Sequence, residues 1–395
     1  MISVAEARAS ILAHVGRTAI EDLPLEDCLG RTLAAPVIAK RDQPPFAASA
    51  MDGYAVRSAD TPGLLKLVGE AGAGHAFGGA LKAGACARIF TGAPLPAGAD
   101  AIAIQEDVTR QGDVVAVPLV TAGAFVRPAG LDFAAGATLL RSGVVLAGGD
   151  LALAAATGRD RLCVATPPRI IIVSGGDEIV APGAEAGPDQ IYDSASFGVA
   201  GLAQAWGAAS HRGAVLRDDA ALITAALEEA LPRSDLVVVI GGASVGEHDH
   251  ARKAAQVLGA TILFDKVSLR PGKPTWFALR GAHRILGVPG NPASALVCAR
   301  LFLRPVIAAM LGGDAAATVR PRRARLSAPL PPNNAREAYL RAAATVDDEG
   351  QLLVAPAPDQ DSSLVSVFSA ADALIIRPGD CAASEAGDLV DTLSI

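Results

Sequence analysis

Two runs of the chain are apolar without polar alternation and then break into glycines and acids. Arg169–Glu178 reads RIIIVSGGDE, and Leu236–Asp249 reads LVVVIGGASVGEHD. A β-branched run that never alternates predicts a strand buried on both faces, which points to a parallel sheet covered by helices. Similar short runs at Thr261–Phe264 and Arg284–Val288 add strands, and helical periodicity near Ser194–Trp206, Asp218–Leu231, Asp249–Leu258 and Pro292–Leu311 separates them. Asn291 at an N-cap and Pro292 at N1 give the last helix a strong start. Residues 166–312 therefore read as a βαβ domain with a mostly parallel sheet.

The flanking segments have other periods. The first residues pattern as an amphipathic helix, with Ser3 and Glu6 spaced as a capping box and Val4, Ala7, Ile11 and Val15 on one face. Residues 1–35 read as helical. Residues 133–165 return to helix (Gly149–Thr157) plus a short strand, so the two segments are expected to form one discontinuous, mostly helical domain. Between them, residues 36–132 carry short strands and glycine–proline turns, a β-rich insert. Residues 313–395 begin with a basic stretch, Val319–Arg325, read as a solvated linker. Strands at Glu337–Val346, Leu352–Ala355, Ala373–Arg377 and Leu389–Leu393 then suggest a small β-barrel or sandwich. The fold class is multidomain α/β plus β.

Composition narrows the function. The 395-residue chain has a formal net charge of −7, which argues against a general nucleic-acid binder. Its five cysteines are scattered singly without a CxxC pair, so neither a disulfide framework nor a zinc site is expected. The start lacks the basic and apolar regions of a signal peptide. Arg300 and Arg304 interrupt the apolar stretch Ala293–Leu311, which reads as a buried globular helix and not a membrane span. A cytoplasmic protein is expected.

Ligands of parallel sheets bind beyond the carboxyl ends of the strands. There, Ser174, Gly175, Gly176, Asp177 and Glu178 follow one strand, and Gly241, Gly242, Ser244, Glu247 and Asp249 follow another. Glycine amides with carboxylates suit a ligand that combines phosphate with a hard cation such as Mg²⁺. The second loop also contains G-x-S-x-G around Ser244, with Asp265 and His283 following in hydrolase order, so a serine hydrolase is a rival. In Asp265–Pro274, DKVSLRPGKP, an extended backbone puts Lys266, Ser268 and Arg270 on one face with Lys273 on the next turn. Such a group favours phosphate or a tetrahedral oxometallate. In the insert, Asp52, Thr91, Arg127 and Asp132 sit in turns.

Taken in order, SAMDGYAVR (49–57), FTGAPLPAGAD (90–100), Arg127–Asp132, Ser174–Glu178, QIYDS (190–194), GGASVGEHD (241–249), PGKP (271–274) and GVPGNPAS (287–294) resemble the molybdopterin molybdenumtransferase family, to which the gephyrin E domain is related. The resemblance implies a four-part, L-shaped subunit acting as a homodimer, with the βαβ domain of one chain facing the insert of the other. It implies Mg²⁺-dependent insertion of molybdate into adenylylated molybdopterin, with release of AMP. By position it assigns catalysis to Asp52, Thr91, Asp132, Glu178, Asp218 and Asp249, and metal binding to Asp177, Glu178 and Asp249. It ties Arg127, Lys266, Arg270, Arg341 and Ser362 to molybdate and phosphate, with Pro289 and Pro292 shaping the last loop. Molybdopterin adenylyltransferase and molybdoenzyme apoproteins are implied partners. The chain departs from the family pattern at Ala47-Ala48, Ala195, His250 and Arg270. A non-catalytic scaffold built on the same fold is the alternative from another class.

Overall fold

The computed structural model describes residues 1–242 and 250–395. The capping box forms: Ser3 accepts the Glu6 amide and Glu6 bonds back to the Ser3 amide, opening the helix Val4–Leu12. Val4, Ala7 and Ile11 are its buried positions. The helical reading of the first 35 residues stops there, because Ile20–Pro24 is a strand paired antiparallel with Arg161–Ala165. That ladder joins the segments on either side of the insert. The insert holds a six-stranded sheet built from residues 53–117.

The central sheet has six strands. In spatial order they are Ala209–Leu216, Arg169–Gly175, Leu236–Ile240, His283–Val288, Trp276–Arg280 and Thr261–Phe264. The first three pairings are parallel and the last two antiparallel. Every residue of Leu236–Ile240 is buried, as its unbroken apolar run requires. Ala209–Leu216 escapes the sequence pattern because it is an edge strand. His211, Arg212, Gly213 and Ala214 are exposed there and no apolar run marks it.

The apolar stretch after Asn291 forms Pro292–Cys298, a π-helical turn Ala299–Leu303, and Arg304–Met310. It is long and apolar enough to cross a membrane, and most of it is buried inside the fold. Arg300 is only 2 % exposed and donates to the Ser394 carbonyl at 2.6 Å.

The C-terminal region is a closed barrel of five strands. Glu337–Val346 pairs with both Leu352–Pro356 and Ala373–Arg377, and the ring continues through Leu389–Ser394 and Arg322–Leu326. The last of these corrects the expected basic linker. Ala324 and Leu326 are buried while Arg323 and Arg325 face outward, a period-two pattern hidden by the arginines, with Arg322 exposed at the strand start. Arg323 meets Asp391 at 3.2 Å and Arg325 meets Gln351 at 2.6 Å.

Candidate active site

At the carboxyl end of Arg169–Gly175 lies a buried carboxylate. Asp193 is 4 % exposed. It accepts the Ser174 hydroxyl at 2.9 Å, the Ser196 amide at 3.1 Å and the Ser196 hydroxyl. The strand end and the start of helix Ala195–Ala205 are thereby tied together, and the Ser174 proton is held inside the protein. Gly241, at the end of the neighbouring strand, has φ +86°, and a Cβ there would stand 2.6 Å from the Gly175 carbonyl oxygen. Only glycine lets the two loops touch. Above them is a small cavity of about 60 Å³ lined by Ser174, Gly175, Glu178, Tyr192, Gly241, Gly290 and Pro292 among others. Gly176 and Gly242 lie in the same two loops.

The acids of this end divide. Glu178 is exposed and lines the cavity. Asp177 does not; it accepts from Arg217 at 3.4 Å and from the Asp218 amide at 3.3 Å. The helix expected from Asp218 starts at Ala220, with Asp219 as its cap. Ser244, Glu247 and Asp249 lie outside the described residues. Among the described residues, no group of three or more His, Cys, Asp or Glu side chains is placed to hold a metal.

A larger cleft of about 860 Å³ opens between the central domain and the barrel. Arg270, Lys273, Pro289 and Asn291 line one wall, and Arg336, Tyr339, Gln360, Asp361 and Ser362 line the other. Arg270 reaches it from a two-residue strand, Leu269–Arg270, that pairs parallel with Glu337 and Ala338 of the barrel. Val267 and Leu269 are fully buried while Lys266, Ser268 and Arg270 are not, as alternation predicts. Lys266 and Ser268 nevertheless stop short of the cleft lining, and their backbones bond to Ile2. Gly272 has φ +121°, and a Cβ on it would lie 2.6 Å from Cys298 Sγ, so the turn carrying Lys273 also needs glycine.

Cross-links hold the two walls together. Arg270 Nη2 donates to Asn333 Oδ1 at 3.1 Å. Asn291 occupies the cap position, but its Nδ2 donates to Ser362 Oγ at 2.7 Å and makes no cap bond. The Ala293 amide donates to the Ser362 carbonyl at 3.1 Å. Arg341 is fully buried and does not line the cleft. It donates to Gln360 Oε1 and to the Asp361 carbonyl, bracing the segment that carries Ser362. Burial lowers the Arg341 pKa, and its Nη2 has no hydrogen-bond partner among the described residues. The Asp361 carboxyl is held below its ordinary value by the Ser363 hydroxyl and then the Ser363 amide.

The two cavities share one wall. Pro289 and Asn291 face the cleft, while Gly290 and Pro292 face the sheet-end cavity. The structure thus brings Glu178, Arg270, Lys273, Ser362, Pro289 and Pro292 around a single loop. It does not bring the insert residues to either cavity of the same chain. Asp52 accepts the Thr91 amide and hydroxyl at 2.8 Å each, Arg127 is exposed on a strand paired with Ala48 and Ser49, and Asp132 is exposed beside Gln43. The hydrolase reading gains no support. His283 begins its strand, so about 16 Å of strand lies between it and Val288, which is level with Ile240. Asp265 is paired with Arg252.

Sequence reasoning missed Asp193, Asn291 as a cross-link, Asn333 and Gln360. Only Asp193 had a signal, a lone acid between a strand and a helix in QIYDS.

The mixed, mostly parallel sheet with a cavity at its strand ends is joined to a barrel and a β insert, and its sequence matches a probable molybdopterin binding domain. Residues 2–158 match the MoeA N-terminal region (domain I and II), residues 171–309 a probable molybdopterin binding domain, and residues 323–395 the MoeA C-terminal region (domain IV). The molybdopterin molybdenumtransferase of Nostoc sp. is 37 % identical over 296 residues, covering 72 % of this chain and 67 % of the relative. That of Haemophilus influenzae is 30 % identical over 404 residues, covering 99 % and 98 %. The solved structure of the molybdopterin biosynthesis MoeA protein from Pyrococcus horikoshii aligns over 100 % of this chain and 99 % of its own, with a TM-score of 0.87 at 29 % identity. The chain belongs to the molybdopterin molybdenumtransferase family and is a transferase of molybdenum-cofactor biosynthesis.

Proposed function

We propose that this chain inserts molybdate into adenylylated molybdopterin and releases AMP, in a Mg²⁺-dependent reaction. The observation that carries the reading is the pair of chambers on the shared loop 289–292, one with the Glu178 carboxylate and one where Arg270, Lys273 and Arg336 outnumber the lone acid Asp361. Arg270, Lys273 and the Ser362 hydroxyl suit a tetrahedral oxyanion. Breaking the phosphoanhydride needs charge neutralisation and positioning more than a covalent nucleophile. The donor chemistry fits Mg²⁺, which takes one or two carboxylates and completes its shell with water and phosphate oxygens. Glu178 and Asp249 would hold it, and it would neutralise charge on the bridging phosphates. Asp177 fits less well, because Arg217 already faces it.

The insert residues Asp52, Thr91, Arg127 and Asp132 would complete the site from a second copy in a homodimer. The protein would act in the cytoplasm, receiving substrate from the adenylyltransferase and passing cofactor to apoenzymes. The test is AMP release from adenylylated molybdopterin by the purified chain, with molybdate and Mg²⁺ each omitted in turn. Release that needs both is expected. Tight binding of the nucleotide without any AMP release would replace catalysis with the scaffold role.

A further inference from the structure

We propose that Asn333 is a positioning residue that pre-aims the Arg270 guanidinium at the oxyanion, an inference that rests on reading the cleft as an oxyanion site. Asn333 belongs to the barrel region and is 8 % exposed. Its Nδ2 stands 2.8, 3.1 and 2.8 Å from the carbonyl oxygens of Arg336, Arg377 and Pro378. Three acceptors around one atom admit only the amide nitrogen, so chemistry alone fixes which end of the side chain is which. Its backbone amide donates to the Cys381 carbonyl at 3.0 Å. The remaining polar atom, Oδ1, accepts Arg270 Nη2 at 3.1 Å.

The consequence lies in Arg270. It is exposed and is the second residue of a strand of only two. A free arginine of this length loses rotamer entropy when it closes on a ligand. Asn333 holds one of its five N–H groups in advance and leaves the rest of the planar fork for the anion. Asn333 itself does not line the cleft, so it acts on the ligand through Arg270. The barrel's contribution to the anion chamber is in this way partly the aiming of a side chain that belongs to the other domain.

The experiment is calorimetric titration of the full chain with sodium molybdate alone, in the wild type, Asn333→Ala, Arg270→Ala and the double variant. Asn333→Ala is expected to weaken molybdate binding about tenfold when Arg270 is present and less than about twofold when it is not. Equal losses in both backgrounds, or no loss with Arg270 present, would overturn the proposal, since a general distortion of the barrel would not depend on Arg270. If Asn333→Ala fails to fold, side-chain ¹⁵N relaxation of Arg270 in the ligand-free wild type serves instead. An ordered Arg270 guanidinium is expected; a guanidinium as freely rotating as that of an unpaired surface arginine would overturn the proposal. Absence of molybdate binding by the wild type would remove the oxyanion reading itself, which the variant comparison distinguishes from a failure of Asn333 alone.

Discussion

Asp52 receives two bonds from one neighbour, the Thr91 amide and the Thr91 hydroxyl, both on Oδ1. The amide and then the hydroxyl hold its carboxyl below the ordinary value. The sign follows from linkage. A carboxyl whose pKa is depressed on folding stabilises the fold above its unfolded pKa of about 4 and ceases to do so as the pH falls through the folded value. Thr91→Val removes the hydroxyl and keeps the amide. The Asp52 carboxyl carbon, followed by NMR titration, should therefore titrate higher than in the wild type while staying below the ordinary range. An unchanged titration would show that the hydroxyl bond is absent in solution. Asp52 and Thr91 were each assigned through the resemblance, but their pairing was not legible, because 39 residues of chain separate them. Asp193 and Asn333 were less legible still, since the worth of a buried polar side chain depends on partners that sequence spacing does not name.

Strand ends decide the site at the next scale. Arg169–Gly175 and Leu236–Ile240 announce themselves through unbroken apolar runs, and burial on both faces is the reason. Arg322–Leu326 and Ala209–Leu216 do not, because the outward face of a barrel strand and the edge of a sheet are polar. Between the two central strands, Gly241 meets Gly175 too closely for any side chain. Gly241→Ala combines a positive φ with a backbone clash and should cost about 2 kcal/mol or more in urea denaturation, with the sheet-end cavity distorted. A loss under about 0.5 kcal/mol would mean the loop relaxes freely and does not shape the cavity. The helix after Asn291 was placed correctly from Pro292, yet the asparagine side chain turned to Ser362 instead of capping. A partner on the barrel supplied a hydrogen bond that the helix start would otherwise have offered.

For the molecule as a whole, the insert residues stand apart from the two cavities of their own chain. If a second copy completes the site, Asp52→Ala and Glu178→Ala chains, each inactive, should regain about a quarter of wild-type activity when co-refolded at equal amounts, because half the dimers are mixed and each mixed dimer has one intact site. No recovery, with mixed dimers demonstrated, would place each site within one chain. The sequence by itself determined four of the six central strands, the barrel strands from Glu337 onward and the family, because apolar periodicity and ordered motifs are local properties; the edge strand Ala209–Leu216 and the strand Trp276–Arg280 emerged only in the fold. The tertiary structure decided that Arg270 and Lys273 face the cleft while Lys266, Ser268 and Arg341 do not line it. That selection depends on where the barrel closes against the central domain, through bonds such as Arg270–Asn333 and Asn291–Ser362 that join residues 63 and 71 positions apart.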